Sequence, residues 1–184
     1  MGVTADIKRV LLTTVACFLL TAIAFRVNNQ DQVPLISPFL FTLVIVLANL
    51  DQVRVNKLKA IGLGLMLTLP VFLVSVLAGV GLTQMLKGAQ AGMVISSAMS
   101  GALMFLVNSL FFNMRSFKAG LAITAVLGAI APFVARFVEL YLPGINSSAG
   151  FIEDPGLFFI CWQTLVGLGI SIGIWVGVDQ KKLK

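Results

Sequence analysis

Residues 60–83 read AIGLGLMLTLPVFLVSVLAGVGLT, twenty-four consecutive positions without a charged side chain. About 20 mostly apolar residues in a helix cross the hydrocarbon core of a bilayer, so this stretch can span it unaided. Lys57 and Lys59 stand just before the run and Lys87 just after it, where long cationic side chains reach the headgroups. Pro70 falls near the middle. Its missing amide hydrogen predicts a kink and a free carbonyl, open either to a substrate or to a packing role.

Working outward, five further runs have the same character: 10–25, 33–50, 92–112, 119–142 and 156–178. Six spans of this kind use about 120 residues, which leaves short connections and no room for a soluble domain. The expectation is therefore one all-α integral membrane domain over 1–184 with six transmembrane helices. The composition agrees, because 59% of the 184 residues are hydrophobic and 11% charged. A soluble chain of this size leaves too much of its surface in water to hide that apolar content. Soluble enzyme, disordered tail and disulfide scaffold are excluded on that ground.

The cations give the spans a direction. Lys8 and Arg9 precede the first, and Arg54, Lys57 and Lys59 lie between the second and third. Arg115 and Lys118 lie between the fourth and fifth, and Lys181, Lys182 and Lys184 follow the sixth. The alternate side holds Arg26, Lys87 and Arg136, together with Asp31, Glu139, Glu153 and Asp154. Ten cations against three, alternating with every crossing, predict both termini in the cytoplasm of a cell bounded by this inner membrane. The net charge of +6 thus reports topology, and nucleic acid is not expected as a partner. Lys8-Arg9, the apolar run and Ala22-Ile23-Ala24 also mimic a secretory signal; a retained first helix is expected, and its loss would leave five spans.

Catalysis finds little to work with. There is no histidine, and no Asp or Glu lies in the middle of a span, so neither metal-assisted nor acid–base chemistry has its residues. Cys17 and Cys161 both sit in apolar runs and read as small buried hydrophobes. No enzyme activity, cofactor or metal site is expected.

Small and polar residues carry the remaining information. Gly169, Gly173 and Gly177 recur at i+4 in the sixth span, as do Gly120, Thr124, Gly128 and Pro132 in the fifth. Ser97 with Gly101 and Ser75 with Gly79 repeat the spacing in the fourth and third. Such stripes let helix backbones approach where no hydrophobic force joins helices, either within one chain or between subunits. Ser96, Ser100 and Asn108 share one face of the fourth span, and Gln163 and Thr164 lie near the outer end of the sixth. Polar groups are costly in lipid, so these five either line a transport path or bond helices together. Arg136 and Glu139, three apart, can pair; Arg136 reads as a surface ion pair or as a cation at the mouth of an anion pathway.

Several segments taken in order resemble a known family. Ile7-Lys8-Arg9 leads into a small-residue-rich helix, and Pro34-Leu35-Ile36-Ser37-Pro38-Phe39-Leu40 opens the second. A basic loop, Asp51 to Lys59, runs into Lys59-Ala60-Ile61-Gly62-Leu63-Gly64, and the last helix holds Thr164-Leu165-Val166-Gly167-Leu168-Gly169. The chain resembles the membrane half of the fusaric-acid-resistance and aromatic-acid-exporter superfamily, short bacterial branches included. That resemblance implies six helices and export of small organic, often aromatic, acids, sometimes beside a periplasmic adaptor. The family's cytoplasmic domain and second membrane unit have no counterpart here, which implies a homo-oligomer or another membrane subunit. Gly62-Leu63-Gly64 and Gly167-Leu168-Gly169 fall in the third helix of each half, the pattern of a 3+3 inverted repeat.

The expected function is a membrane transport protein, an exporter-like unit or subunit for small organic anions. Two alternatives stay open. One is the substrate-binding subunit of a vitamin uptake system, which would need a small-residue docking face on the first helix, where Phe18 interrupts Thr14 and Ala22. The other is a membrane scaffold joined through the glycine stripe of the sixth helix.

Overall fold

The structure is a computed structural model that describes residues 3–27, 36–86, 89–141 and 155–176. Six helices follow one another: α1 (Val3–Val27), α2 (Ile36–Ala48), α3 (Lys57–Met85), α4 (Ala89–Ser109), α5 (Phe117–Tyr141) and α6 (Pro155–Trp175). The described residues hold no strand beyond one antiparallel bridge between Val53 and Phe112. Five helices are long and apolar enough to cross a membrane, and α2, at 13 residues, is a shorter apolar helix.

Apolar runs mark the part of a helix that prefers lipid, whereas hydrogen bonding decides where the helix stops. α3 accordingly extends back to Lys57, where the Asn56 side chain caps it by accepting from Leu58 N. α2 ends at Ala48, short of the expected Leu50. Asn49 turns back and donates through Nδ2 to the Ile45 carbonyl at 2.8 Å, and the chain enters a 3-10 turn at Leu50–Gln52. α4 likewise stops at Ser109 because the next residues pair with the α2–α3 loop: Arg54 N donates to Phe111 O at 2.8 Å and Asn113 N to Gln52 O at 2.9 Å.

α6 is the central post. It packs against α1, α2, α4 and α5, while α3 packs against α2 and α4 and reaches α6 through the rings of Phe72 and Phe159. Glycine sets the close approaches. A Cβ at Gly120 would stand 2.7 Å from Gly173 Cα, and one at Gly169 would stand 2.7 Å from Thr124 Cα, so α5 and α6 touch backbone to backbone. Gly173 also faces the ring of Phe105 from α4. Gly128 abuts the Ser97 carbonyl and Gly101 the Thr124 carbonyl, which joins α4 to α5. Gly167 lies against Cys17 of α1, Gly64 against Thr42 of α2, and Gly92 against Thr83 of α3. Gly177 lies outside the described residues. Cys17 is buried, Cys161 half-buried, and both are free thiols.

The basic loops meet at one end of the bundle. Arg54 donates to the Ser109 and Leu110 carbonyls, 2.9 and 3.0 Å away, and so caps the C-terminus of α4. Arg115 donates to the Trp175 carbonyl at the end of α6 and binds Asp6 of α1 at 2.7 Å. The indole of Trp175 is buried, and the guanidinium groups of Arg9 and Arg115 lie over its ring, 5.8 and 5.3 Å from its centroid. Its N–H donates to Asn49 Oδ1 at 2.5 Å. One ring thus ties α1, α2, α5 and α6 together at the basic end.

The glycine contacts predict an asymmetry. Gly173→Leu forces α5 from α6 and is expected to destabilise the purified protein by about 1–3 kcal/mol. Gly62→Ala, where nothing lies within 4 Å of the added carbon, is expected to leave the melting temperature in detergent unchanged or raised. Equal losses in the two variants would refute the packing assignment.

Candidate functional site

Because α3 meets α6 through ring tips and not through glycine, a gap remains between them. It is a cavity of about 440 Å³, within the roughly 300–1,000 Å³ usual for small-molecule sites. One face of α3, from Thr68 to Gln84, forms one wall, and Met93 to Met104 of α4 form the next. Pro38 and Phe41 of α2 and the aromatic start of α6 complete it. Among its lining residues Val76, Val80 and Gln84 of α3 are exposed, and Gln84 lies at the end of α3 away from the basic loops. Towards the basic end the core closes on Phe105, Val166, Ile170 and Ile174, all fully buried.

The walls are mainly apolar and strongly aromatic. Phe72 faces Phe159 at 6.0 Å between centroids, and Phe41 faces Trp162 at 6.3 Å. Trp162 spans from α6 to α4, where its indole N–H donates to the Ser97 carbonyl at 3.2 Å. Three of the six hydroxyls on the walls are turned back onto their own helices. Ser75 donates to Val71 O at 2.6 Å, Ser96 to Met93 O at 3.1 Å, and Thr68 to Gly64 O at 2.7 Å while also meeting the Thr42 hydroxyl. Ser97, Ser100 and Thr83 differ: their hydroxyls make no hydrogen bond within the described protein.

The residues expected to form a path separate in space. Ser96, Ser100 and Gln163 come together on the cavity wall. Gln163 also joins helices: its Oε1 lies 2.6 Å from the Thr21 hydroxyl of α1, and its Nε2 donates to Ser37 Oγ of α2 at 2.7 Å. Asn108 does not reach the cavity. It lies near the basic end, donates to Met104 O at 2.8 Å, and leaves its Oδ1 buried without a partner. Thr164 donates to Ile160 O, also off the cavity. Arg136 binds Glu139 at 3.3 Å, with the Glu139 side chain fully buried, and neither lines the cavity. Pro70 sits within a continuous α3 with its ring exposed, one residue from the lining Val71 but not part of the wall.

Ser97 is the wall residue that the sequence reading assigned to packing beside Gly101. The signal for its second role was present, since Ser96, Ser97 and Ser100 occupy one broad face of α4. No group of three or more His, Cys, Asp or Glu able to hold a metal occurs among the described residues. Comparisons with protein-family models, curated proteins and solved structures found no match.

Gln163 and Asn108 are predicted to behave differently on substitution. Gln163→Leu leaves Ser37 Oγ without its donor and Thr21 with only its bond to Cys17 O, and is expected to cost up to about 1.7 kcal/mol, the upper end for bonds between membrane helices. Asn108→Leu removes a carbonyl oxygen that has no partner and is expected to cost less. Thermal unfolding of the two variants in one detergent makes the comparison; a larger loss for Asn108→Leu contradicts it.

Proposed function

We propose that this chain is a membrane transport unit whose substrate site is the cavity between α3 and α6, and that its substrates are small organic molecules carrying an aromatic ring. The observation that carries this reading is an aromatic-walled cavity of about 440 Å³, with fully buried side chains packed between it and the basic end of the bundle. In this reading the cavity opens away from the basic loops, the single-ended access that a carrier presents in one of its two states. The five long apolar helices and the shorter α2 form, in this reading, six spans of the inner membrane. The Arg54, Arg115 and Trp175 cluster then faces the cytoplasm with both termini, as the positive-inside rule requires, and the cavity opens outward. This substrate class is also the one implied by the resemblance to the fusaric-acid-resistance and aromatic-acid-exporter superfamily.

The scaffold reading draws less support, because Gly169 and Gly173 are already packed against α5 and α4 inside the chain. A polar cage for a vitamin is likewise missing among the described wall residues, which are mainly apolar and half of whose hydroxyls are bonded to their own helices.

Blocking the cavity tests the proposal. Ser75, half-buried on the α3 wall, has the room in front of it that a ring would fill. In vesicles, Ser75→Phe is expected to lower transport of a radiolabelled aromatic probe by about tenfold or more, the rate equivalent of a 1–3 kcal/mol clash. Asn108→Leu, away from the cavity, is expected to retain transport. Unchanged transport in a folded Ser75→Phe protein contradicts the assignment.

A further inference from the structure

The four helices that wall the cavity carry very few charges. α2, α4 and α6 contain no Asp, Glu, Lys or Arg, and in α3 the charged residues are Lys57 and Lys59, at the basic end. Arg136, expected at the mouth of an anion pathway, is paired with Glu139 on α5 and lies off the wall. An ionised carboxylate moved into this site leaves water without gaining a cation from the described wall residues, which is a severe penalty in a low-dielectric interior. At Ser97 and Ser100 the dipole of their own helix does not replace the missing cation, although the first turn of α6 reaches the wall at Phe158. α4 begins at Ala89 and α6 at Pro155, while Ser97 and Ser100 lie more than two turns inside α4, and the dipole effect fades within the first turn.

What the wall does offer is limited and specific. Its deep hydroxyls on α3, and that of Ser96, are engaged by backbone carbonyls, the Trp162 N–H is engaged by Ser97 O, and the Gln163 amide lies between Thr21 and Ser37. The side chains of Thr83 and Gln84 make no hydrogen bond within the described protein but are less buried; among the buried wall residues Ser97 and Ser100 remain, three residues apart on one helix face, as hydroxyls free to donate and to accept. They lie among the rings of Phe72, Phe159 and Trp162. We infer that the cavity selects the uncharged form of an aromatic ligand and that Ser97 and Ser100 bind its one polar group. This inference rests on the cavity being the substrate site. It changes the expected cargo from an organic anion to the neutral acid, amide or alcohol.

The test compares benzamide with benzoic acid, which share a ring and differ in charge, as ligands of the full purified chain in nanodiscs. Binding is read by titration calorimetry and by the fluorescence of Trp162. Benzamide is expected to bind equally at pH 5 and pH 7. Benzoic acid is expected to weaken about tenfold for each pH unit above its own pKa, because only the protonated acid binds. The double substitution Ser97→Ala and Ser100→Ala is expected to weaken benzamide about tenfold, the usual scale for losing a hydrogen bond or two. Benzoate binding that is unchanged or tighter at pH 7 overturns the inference, as does wild-type benzamide affinity in the double variant. Failure of benzamide to bind at all overturns it too. Ser75→Phe separates the levels: if ligands bind that folded variant normally, the cavity assignment itself fails. If Ser75→Phe abolishes binding while the pH and serine results go the other way, only this inference falls.

Discussion

The structure depends on where two helix backbones are allowed to touch. In lipid there is no hydrophobic gain from bringing apolar helices together, so contact depends on dispersion and on the close fit that small residues permit. Gly120 and Gly173 bring α5 onto α6, Gly101 and Gly128 bring α4 onto α5, and Gly167 brings α1 against α6. α3 has such contacts with its neighbours α2 and α4, through Gly64 and through Thr83 beneath Gly92. Towards α6 it presents Phe72, which meets Phe159. The cavity is therefore a gap left where α3 and α6 are held apart by rings.

The basic end works by a different device. The C-termini of α4 and α6 expose carbonyls that need donors, and Arg54 and Arg115 supply them. Arg115 also binds Asp6 and lies over the ring of Trp175, as does Arg9, which approaches Asp51 at 3.7 Å. The same cations that orient a membrane protein are thus used to close one end of this one. With that end closed and the glycine contacts holding α4, α5 and α6, α3 is the least buried of the five long helices, and most of its apolar surface is exposed to the surroundings. Movement of α3 relative to α6 is the smallest change that would alter the cavity.

Much of this was legible beforehand. Uncharged runs of about 20 residues located the long helices, and the i+4 glycines of α5 and α6 named the face on which they meet. Helix ends were less legible, because Asn49 and the pairing of Phe111 with Arg54 end α2 and α4 through hydrogen bonds that hydropathy does not register. The site was legible only in pieces. Ser96, Ser100, Asn108 and Gln163 look alike as polar residues in apolar runs, yet the first two and Gln163 reach the cavity while Asn108 is packed near the basic end. Depth and facing depend on which helices become neighbours, and a single sequence carries no direct signal for that. Ser97 shows the same limit: beside Gly101 it reads as a packing residue, and only the ring of Trp162, arriving from α6, places it on a binding wall.

The central claim is that this cavity is reachable from the end opposite the basic loops and closed from the other. Ser100→Cys, in a chain whose Cys17 and Cys161 are replaced by alanine, places a reporter thiol on the cavity wall. Its modification by a membrane-impermeant maleimide, added separately to right-side-out and inside-out vesicles, is the most direct measurement. The account predicts labelling from the side away from the basic loops and protection from the other. Labelling from the basic side alone, or no labelling from either side, would contradict it.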